Sequence, residues 1–283
     1  PAPVAGAGGI APRRRAGLVT MIAGVAGQPI THSLSPLIHG AWIAAAGLDA
    51  AYTAYAPDDA ADFEALVMTG RGGALRGLNV TAPYKEQALA LADATTATAR
   101  ACGSANLLLF ADGQVTADST DGAGLMAALA EQAPGLELEG RPVVVLGAGG
   151  AARAAVHALI MAGADVAVLN RTRARAEVVA VDLGARVAEP AALGTAALVV
   201  NALSVPPAID LLALNDAAVV MDMTYRPVIT PFLAAARARG LTTVDGLAML
   251  IGQARPSFTA LFGFAPPPVD VRAQALAALG EVA

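Results

Sequence analysis

From Thr20 onward, short runs of β-branched and apolar residues alternate with longer, alanine-rich amphipathic stretches. The run TMIAGV predicts a strand, and Ser35 with Pro36 predicts a helix opened by the serine as N-cap and closing at Gly47. AAYTAYA predicts a second strand, residues 59–69 a second helix, ALRGLNVT a third strand and YKEQALALAD a third helix. In SANLLLFADGQVTA, Asp112 and Gly113 separate two alternating arms, the pattern of a hairpin with a two-residue turn. A helix from Gly122 to Gln132 follows.

At Arg141 the pattern changes. RPVVVLG is a continuous apolar run, as expected of a strand covered on both faces of a parallel sheet, and ADVAVLN, ALVVNAL and AVVMDMTY repeat it with helical sequence between. The chain therefore reads as α/β with two α/β domains. The first, with a mainly parallel sheet, spans 21–121; the second spans 122–245; helices over 246–283 return to complete the first. Residues 1–20, rich in Pro, Gly and Ala and carrying Arg13, Arg14 and Arg15, are expected to be a disordered extension, since a patterned strand rather than a cleavage site follows them.

Composition narrows the function classes. The chain is 56% hydrophobic, but the excess is alanine, and no apolar stretch of about 18 residues runs free of Gly, Pro or charge, so no membrane span is expected. A net charge of −5 without a basic face excludes a protein built to hold nucleic acid or anionic lipid. The single cysteine, Cys102, can form no internal disulfide, which fits a reducing, cytoplasmic setting, and a small packed residue is the better reading of it than a nucleophile.

Between the first continuous run and the helix after it, Gly147, Gly149 and Ala152 stand in G-x-G-x-x-A spacing. The first glycine suits a tight turn, the second lets backbone N–H groups approach a pyrophosphate, and the alanine lets the helix sit close to the strand, the pattern of a Rossmann-type dinucleotide site. At the end of the next strand, where an acid would bind a ribose 2′-hydroxyl, the chain has NRTRAR instead. Asn170, Arg171, Thr172 and Arg175 offer donors and positive charge for a 2′-phosphate, favouring NADP over NAD; the same arginines would also suit the solvated start of a helix.

In the first domain, polar residues gather where open α/β sheets bind ligands: HSLSP at 32–36, NVTAPYK at 79–85, Asn106, and STDGAG at 119–124. Each has a structural role open to it, with Ser35 or Asp121 as helix caps, Thr81 as a strand end, Asn106 as a turn residue and Lys85 as a solvated charge.

Taken in order, GQPITHSLSPLIH, GLNVTAPYK, STDGAG, GAGGAAR, NRT, DMTYRP followed by TPFL, and DGLAMLIGQA resemble the blocks of the shikimate dehydrogenase family, over about Met21 to Gly263. The resemblance implies NADPH-dependent, reversible reduction of 3-dehydroshikimate to shikimate, with Lys85 giving a proton to the ketone oxygen and Asp121 as its partner. It places Ser33 and Ser35 on the substrate carboxylate, and Thr81, Asn106, Tyr225 and Gln253 on its carboxylate or ring hydroxyls. Along the cofactor it places Gly147, Ala148, Gly149, Gly150, Ala151, Asn170, Arg171, Thr172, Arg175, Met223 and Gly246, with no metal. The chain departs from the family pattern in reading STD for the usual NTD, SANL for AVNT, and LSVPPA at the turn after ALVVNA. Related readings are a quinate/shikimate or aminoshikimate dehydrogenase and a non-catalytic NADP-binding sensor, which would be expected to lack Lys85 or Asp121. A monomer and a homodimer both fit the sequence.

Overall fold

A computed structural model describes residues 20–281. The disordered extension expected at the N-terminus lies, but for Thr20, outside the described residues. The first sheet holds β1 (Met21–Ala26), β2 (Ala50–Tyr55), β3 (Gly77–Val80), β4 (Ala94–Thr95), β5 (Leu107–Ala111) and β6 (Gln114–Asp118), in the order β2-β1-β3-β5-β6-β4. β1 pairs in parallel with β2 and β3, whereas β5 runs antiparallel to β3 and β6. The β5–β6 turn has the left-handed backbone that its sequence anticipates, with φ of 51° at Asp112 and 74° at Gly113.

Helices α1 (Ser35–Ala45), α2 (Ala60–Thr69), α3 (Lys85–Ala90) and α4 (Ala97–Cys102) flank this sheet, and α5 (Asp121–Gln132) leads to the second. That sheet holds β7 (Pro142–Leu146), β8 (Asp165–Leu169), β9 (Arg186–Val187), β10 (Leu198–Asn201), β11 (Val219–Asp222) and β12 (Thr242–Val244), all parallel, in the doubly wound order β12-β11-β10-β7-β8-β9. Between its strands lie α6 (Gly150–Met161), α7 (Arg173–Leu183) and α8 (Pro231–Ala238), and the chain ends in α9 (Gly246–Phe262) and α10 (Val271–Leu279).

The continuous apolar runs are two alternating faces. On β7, Val143 and Val145 enter one core with Val166, Val168, Leu198 and Val200, while Val144 and Leu146 enter the opposite core with Ala167 and Val199. In the first sheet, α1, α9 and α10 close one face through Ile38, Trp42, Phe258 and Leu276, and α2 closes the other through Phe63 and Val67. α9 thus returns to the first sheet, yet its Ala248 and Met249 belong to the core beside β7.

Three local expectations are corrected. Ser35 does not cap α1: Leu34 occupies the cap position, Ser35 is the first helical residue, and Ser33 Oγ accepts the Ser35 N–H at 3.3 Å. α5 starts at Asp121, one residue earlier than expected. α3 ends at Ala90 rather than near Asp93, because Asp93 donates its N–H to Val115 O and the chain pairs β4 with β6. The elements β4, α4, β9 and β12 were not anticipated by the pattern. Cys102 is buried at the end of α4, as expected of a packed residue, and His157 is half-buried on α6.

Candidate active site

The carboxyl ends of β1, β3 and β6, and the start of the antiparallel β5, lie at one edge of the first sheet, so the segments after or before them converge. β1 leads to Ser33 and Ser35, β3 to Thr81 and Lys85, and β6 to Asp121, while Asn106 immediately precedes β5. These residues line one cavity of about 300 Å³, and Tyr225, Gln253, His32 and Asn79 add to its polar lining. Of the expected cofactor positions, Ala151, Met223 and Gly246 line the same cavity, so the start of α6 and the loop after β11 face the polar cluster directly.

Lys85 and Asp121 form an ion pair between Nζ and Oδ2, with side chains 19% and 10% exposed. Asp121 is first in its helix, but its carboxylate caps nothing; Oδ1 accepts from Asn106 Nδ2 at 2.9 Å instead. Its charge also lies at the positive end of the α5 dipole. Asn106 is buried and orientated by the Thr120 N–H, which donates to its Oδ1 at 2.7 Å, and its Nδ2 also reaches Thr120 Oγ1 at 3.0 Å and Gln253 Oε1 at 3.3 Å. Burial pushes the Tyr225 phenol up, partly offset by the Leu34 N–H and Arg226, so it is a neutral hydrogen-bonding group. The loop that carries Met223 and Tyr225 is held by Asp222, which accepts from Asn201 Nδ2 and the Thr224 N–H at 3.0 Å and from Thr230 Oγ1 at 2.7 Å.

The other cofactor positions lie farther along the second sheet, at the ends of β7 and β8. Gly147 has φ 114°, a backbone that only glycine adopts without strain. Gly149 precedes α6 and has no atom within 4 Å of where a Cβ would stand, leaving open space before the helix N-terminus, with Ala148 and Gly150 on either side. Ala152 is fully buried between helix and strand. After β8, Asn170 Nδ2 donates to Thr172 O at 2.9 Å and shapes the loop. Arg173 is committed to Glu177 and Glu189, whereas among the described residues Arg171 and Arg175 are exposed and make no ion pair. Two unneutralised guanidiniums beside an open helix N-terminus suit a phosphorylated dinucleotide.

Two family models match in chain order: the shikimate dehydrogenase substrate binding domain over residues 25–108, and shikimate / quinate 5-dehydrogenase over 128–205. A shikimate dehydrogenase (NADP(+)) of Caulobacter vibrioides is 55% identical over 278 residues, covering 93% of this chain and 97% of the relative. The chain belongs to the shikimate dehydrogenase family. A relative of the same name from Maricaulis maris is 43% identical, covering 92% of this chain and 96% of its own. Shikimate 5-dehydrogenase of Thermus thermophilus, solved in complex with NADP(H) and shikimate, superposes with a TM-score of 0.84 at 34% identity, over 92% of this chain and 99% of that one.

The departures from the family pattern sit at the margins of the cavity rather than in it. Leu107, where the family pattern has a hydroxyl, points into the core, and Leu203 of LSVPPA packs beside Gly147. Some of the lining escaped the sequence reading. Val25, Pro29, Ile30, Met249 and Leu250 supply apolar walls, and Asn79, which opens the NVTAPYK stretch, a buried amide.

Proposed function

We propose that this chain catalyses the reversible NADPH-dependent reduction of 3-dehydroshikimate to shikimate. The observation that carries the reading is the Lys85–Asp121 pair, half-sheltered in a cavity that hydroxyls and amides line on one side and the start of α6 on the other. Ser33, Ser35 and Thr81 suit the substrate carboxylate, since several converging hydroxyls hold an anion without a full countercharge. Asn106 and Gln253 suit ring hydroxyls, and Tyr225 offers one further neutral donor. The pyrophosphate of the cofactor would lie against Gly147, Ala148, Gly149, Gly150 and Ala151, its 2′-phosphate against Asn170, Arg171, Thr172 and Arg175, and its nicotinamide end near Met223 and Gly246. NADPH, when bound, supplies the hydride.

Lys85 does the acid–base work. Charge builds on the ketone oxygen as it is reduced, and an ammonium within hydrogen-bond reach stabilises that charge and hands over a proton. Asp121 fixes the ammonium's direction, and Asn106 fixes Asp121. A carboxylate held from two sides need not reorganise when the proton leaves Lys85. The setting is the cytoplasm, consistent with a single buried cysteine and with no helix, among the described residues, long and apolar enough to cross a membrane. A monomer and a homodimer are both compatible with this chemistry.

A quinate/shikimate dehydrogenase working with NAD is the nearest other reading, and the free Arg171 and Arg175 count against it. Turnover of shikimate and quinate, each with NADP and NAD, separates the two. Shikimate with NADP is expected to be fastest. Replacing Arg171 and Arg175 by Ala is expected to raise KM for NADP at least about ten-fold, one charged hydrogen bond or more, and to leave KM for NAD unchanged. A preference for quinate with NAD, or equal effects on both cofactors, would contradict the proposal.

A further inference from the structure

Against the cavity lies a network of polar side chains, reaching it through Asn79, that no part of the chemistry above requires. Tyr52 Oη donates to Asn79 Oδ1 at 2.8 Å. Asn79 Nδ2 donates to Ser257 Oγ at 2.9 Å and to the main-chain carbonyl of Asn106 at 3.2 Å, while the Asn106 side chain is reached through Thr120. Ser257 Oγ donates to the Gln253 carbonyl at 3.0 Å and stands 3.1 Å from Thr120 Oγ1, which in turn reaches Gln253 Oε1 at 3.2 Å. The chain of contacts starts on β2, crosses β3 and α9, and ends on the Asn106 and Gln253 amides that line the cavity.

Ser257 is fully buried on α9, flanked by Ala254, Phe258 and Leu261, whose side chains are core. Alanine would fill that place without burying a hydroxyl, so the serine is costly unless its hydrogen bonds matter. Tyr52 is equally constrained: its ring lies flat on His39, with centroids 4.1 Å apart and planes 3° from parallel, which aims the phenol at Asn79. A network satisfied at every joint fixes the side chains at its end to one rotamer.

We propose that Ser257 and Tyr52 are positioning residues for the substrate. Acting through Asn79 and Thr120, they hold the Asn106 and Gln253 amides at the angle that the ring hydroxyls need. The proposal rests on the reading of the cavity as the 3-dehydroshikimate site. Neither residue touches the cofactor positions, so their loss should be felt at one ligand and not at the other.

The test is steady-state kinetics and thermal unfolding of Ser257→Ala, Tyr52→Phe and the double variant. Ser257→Ala is expected to raise KM for 3-dehydroshikimate about ten-fold, the loss of one buried hydrogen-bond partner, with KM for NADPH unchanged. Tyr52→Phe, which keeps the ring on His39, is expected to act in the same direction but less. Because both work through Asn79, the double variant should resemble Ser257→Ala rather than the product of the two effects. Lowered thermal stability with KM for 3-dehydroshikimate unchanged would overturn the proposal, as would equal losses for both ligands or independent, multiplying effects. Turnover by the wild-type chain in the same assay reports on the reading beneath the proposal, separately from the variant-to-wild-type ratios on which the proposal stands.

Discussion

Asp121 accepts from Lys85 through one oxygen and from Asn106 through the other, and it stands as the first residue of α5, one place past the cap position. Single residues of this kind were legible in the sequence where a polar side chain follows a strand end, as Lys85, Thr81 and Asp121 do. Tyr52 and Ser257 were not, because a hydroxyl inside a strand or an apolar helix stripe carries no periodic signal of its own; only the four-residue step from Gln253 to Ser257 places both on one helix face. His39 is a further buried polar residue that pattern alone would pass over. It is fully buried among Tyr52, Trp42 and Phe258, neither ring nitrogen has a partner among the described residues, and burial lowers its pKa to about 3. In the unfolded chain the imidazole takes up its proton near pH 6.5. Between pH 6.5 and about 3 the unfolded state therefore binds more protons than the folded one, and stability falls as pH drops through that window. Replacing His39 by Phe is expected to flatten the loss of stability between pH 7 and 5, read from urea midpoints at each pH. An identical acid slope in the variant would contradict that account.

Among the elements, α9 does the most to shape the site. Asp245 caps its N-terminus, accepting the Ala248 N–H at 2.9 Å, and is held by Arg272 of α10 and Gln132 of α5. Alongside α5 the helix approaches so closely that a Cβ on Gly252 would stand 2.9 Å from both Gly124 O and Ala127 Cβ. Backbone cannot yield as a flexible side chain can. Gly252→Ala is therefore expected to cost about 1–3 kcal/mol in stability, measured by denaturant unfolding, and to raise KM for the substrate by displacing the adjacent Gln253. Unaltered stability would show that the two helices have room to part. Elements with a long, clear period were legible: the parallel strands β7, β8, β10 and β11, and the helices with alanine-rich stripes. β4 and β9 are two residues long and lie at sheet edges, below the length at which any period exists. α4 has six residues, and only Ala99 and Cys102 face the core, too few to set a period.

For the whole molecule, the two sheets present their carboxyl ends to a shared crevice, and α9 packs in the cores of both. That shared helix couples the sheets, so urea unfolding is expected to follow one transition with fluorescence and circular dichroism in step, and two separated transitions would show the sheets to be independent. The α/β class, the doubly wound second sheet and the return of the C-terminal helices were legible from alternation and apolar runs. How closely the two halves of the crevice face one another was not, because that distance is set by the α5–α9 contact, which no local pattern encodes. Ala151, on the second sheet's side, nevertheless lines the same cavity as Lys85 and Asp121, as the proposed proton donor opposite a nicotinamide would require. The most direct test of that arrangement is turnover of 3-dehydroshikimate by Lys85→Ala, alongside NADPH binding followed by its fluorescence. The account predicts a fall in kcat of about 10²–10⁴-fold with NADPH affinity retained; turnover near that of the wild-type chain, or equal loss of turnover and cofactor binding, would contradict it.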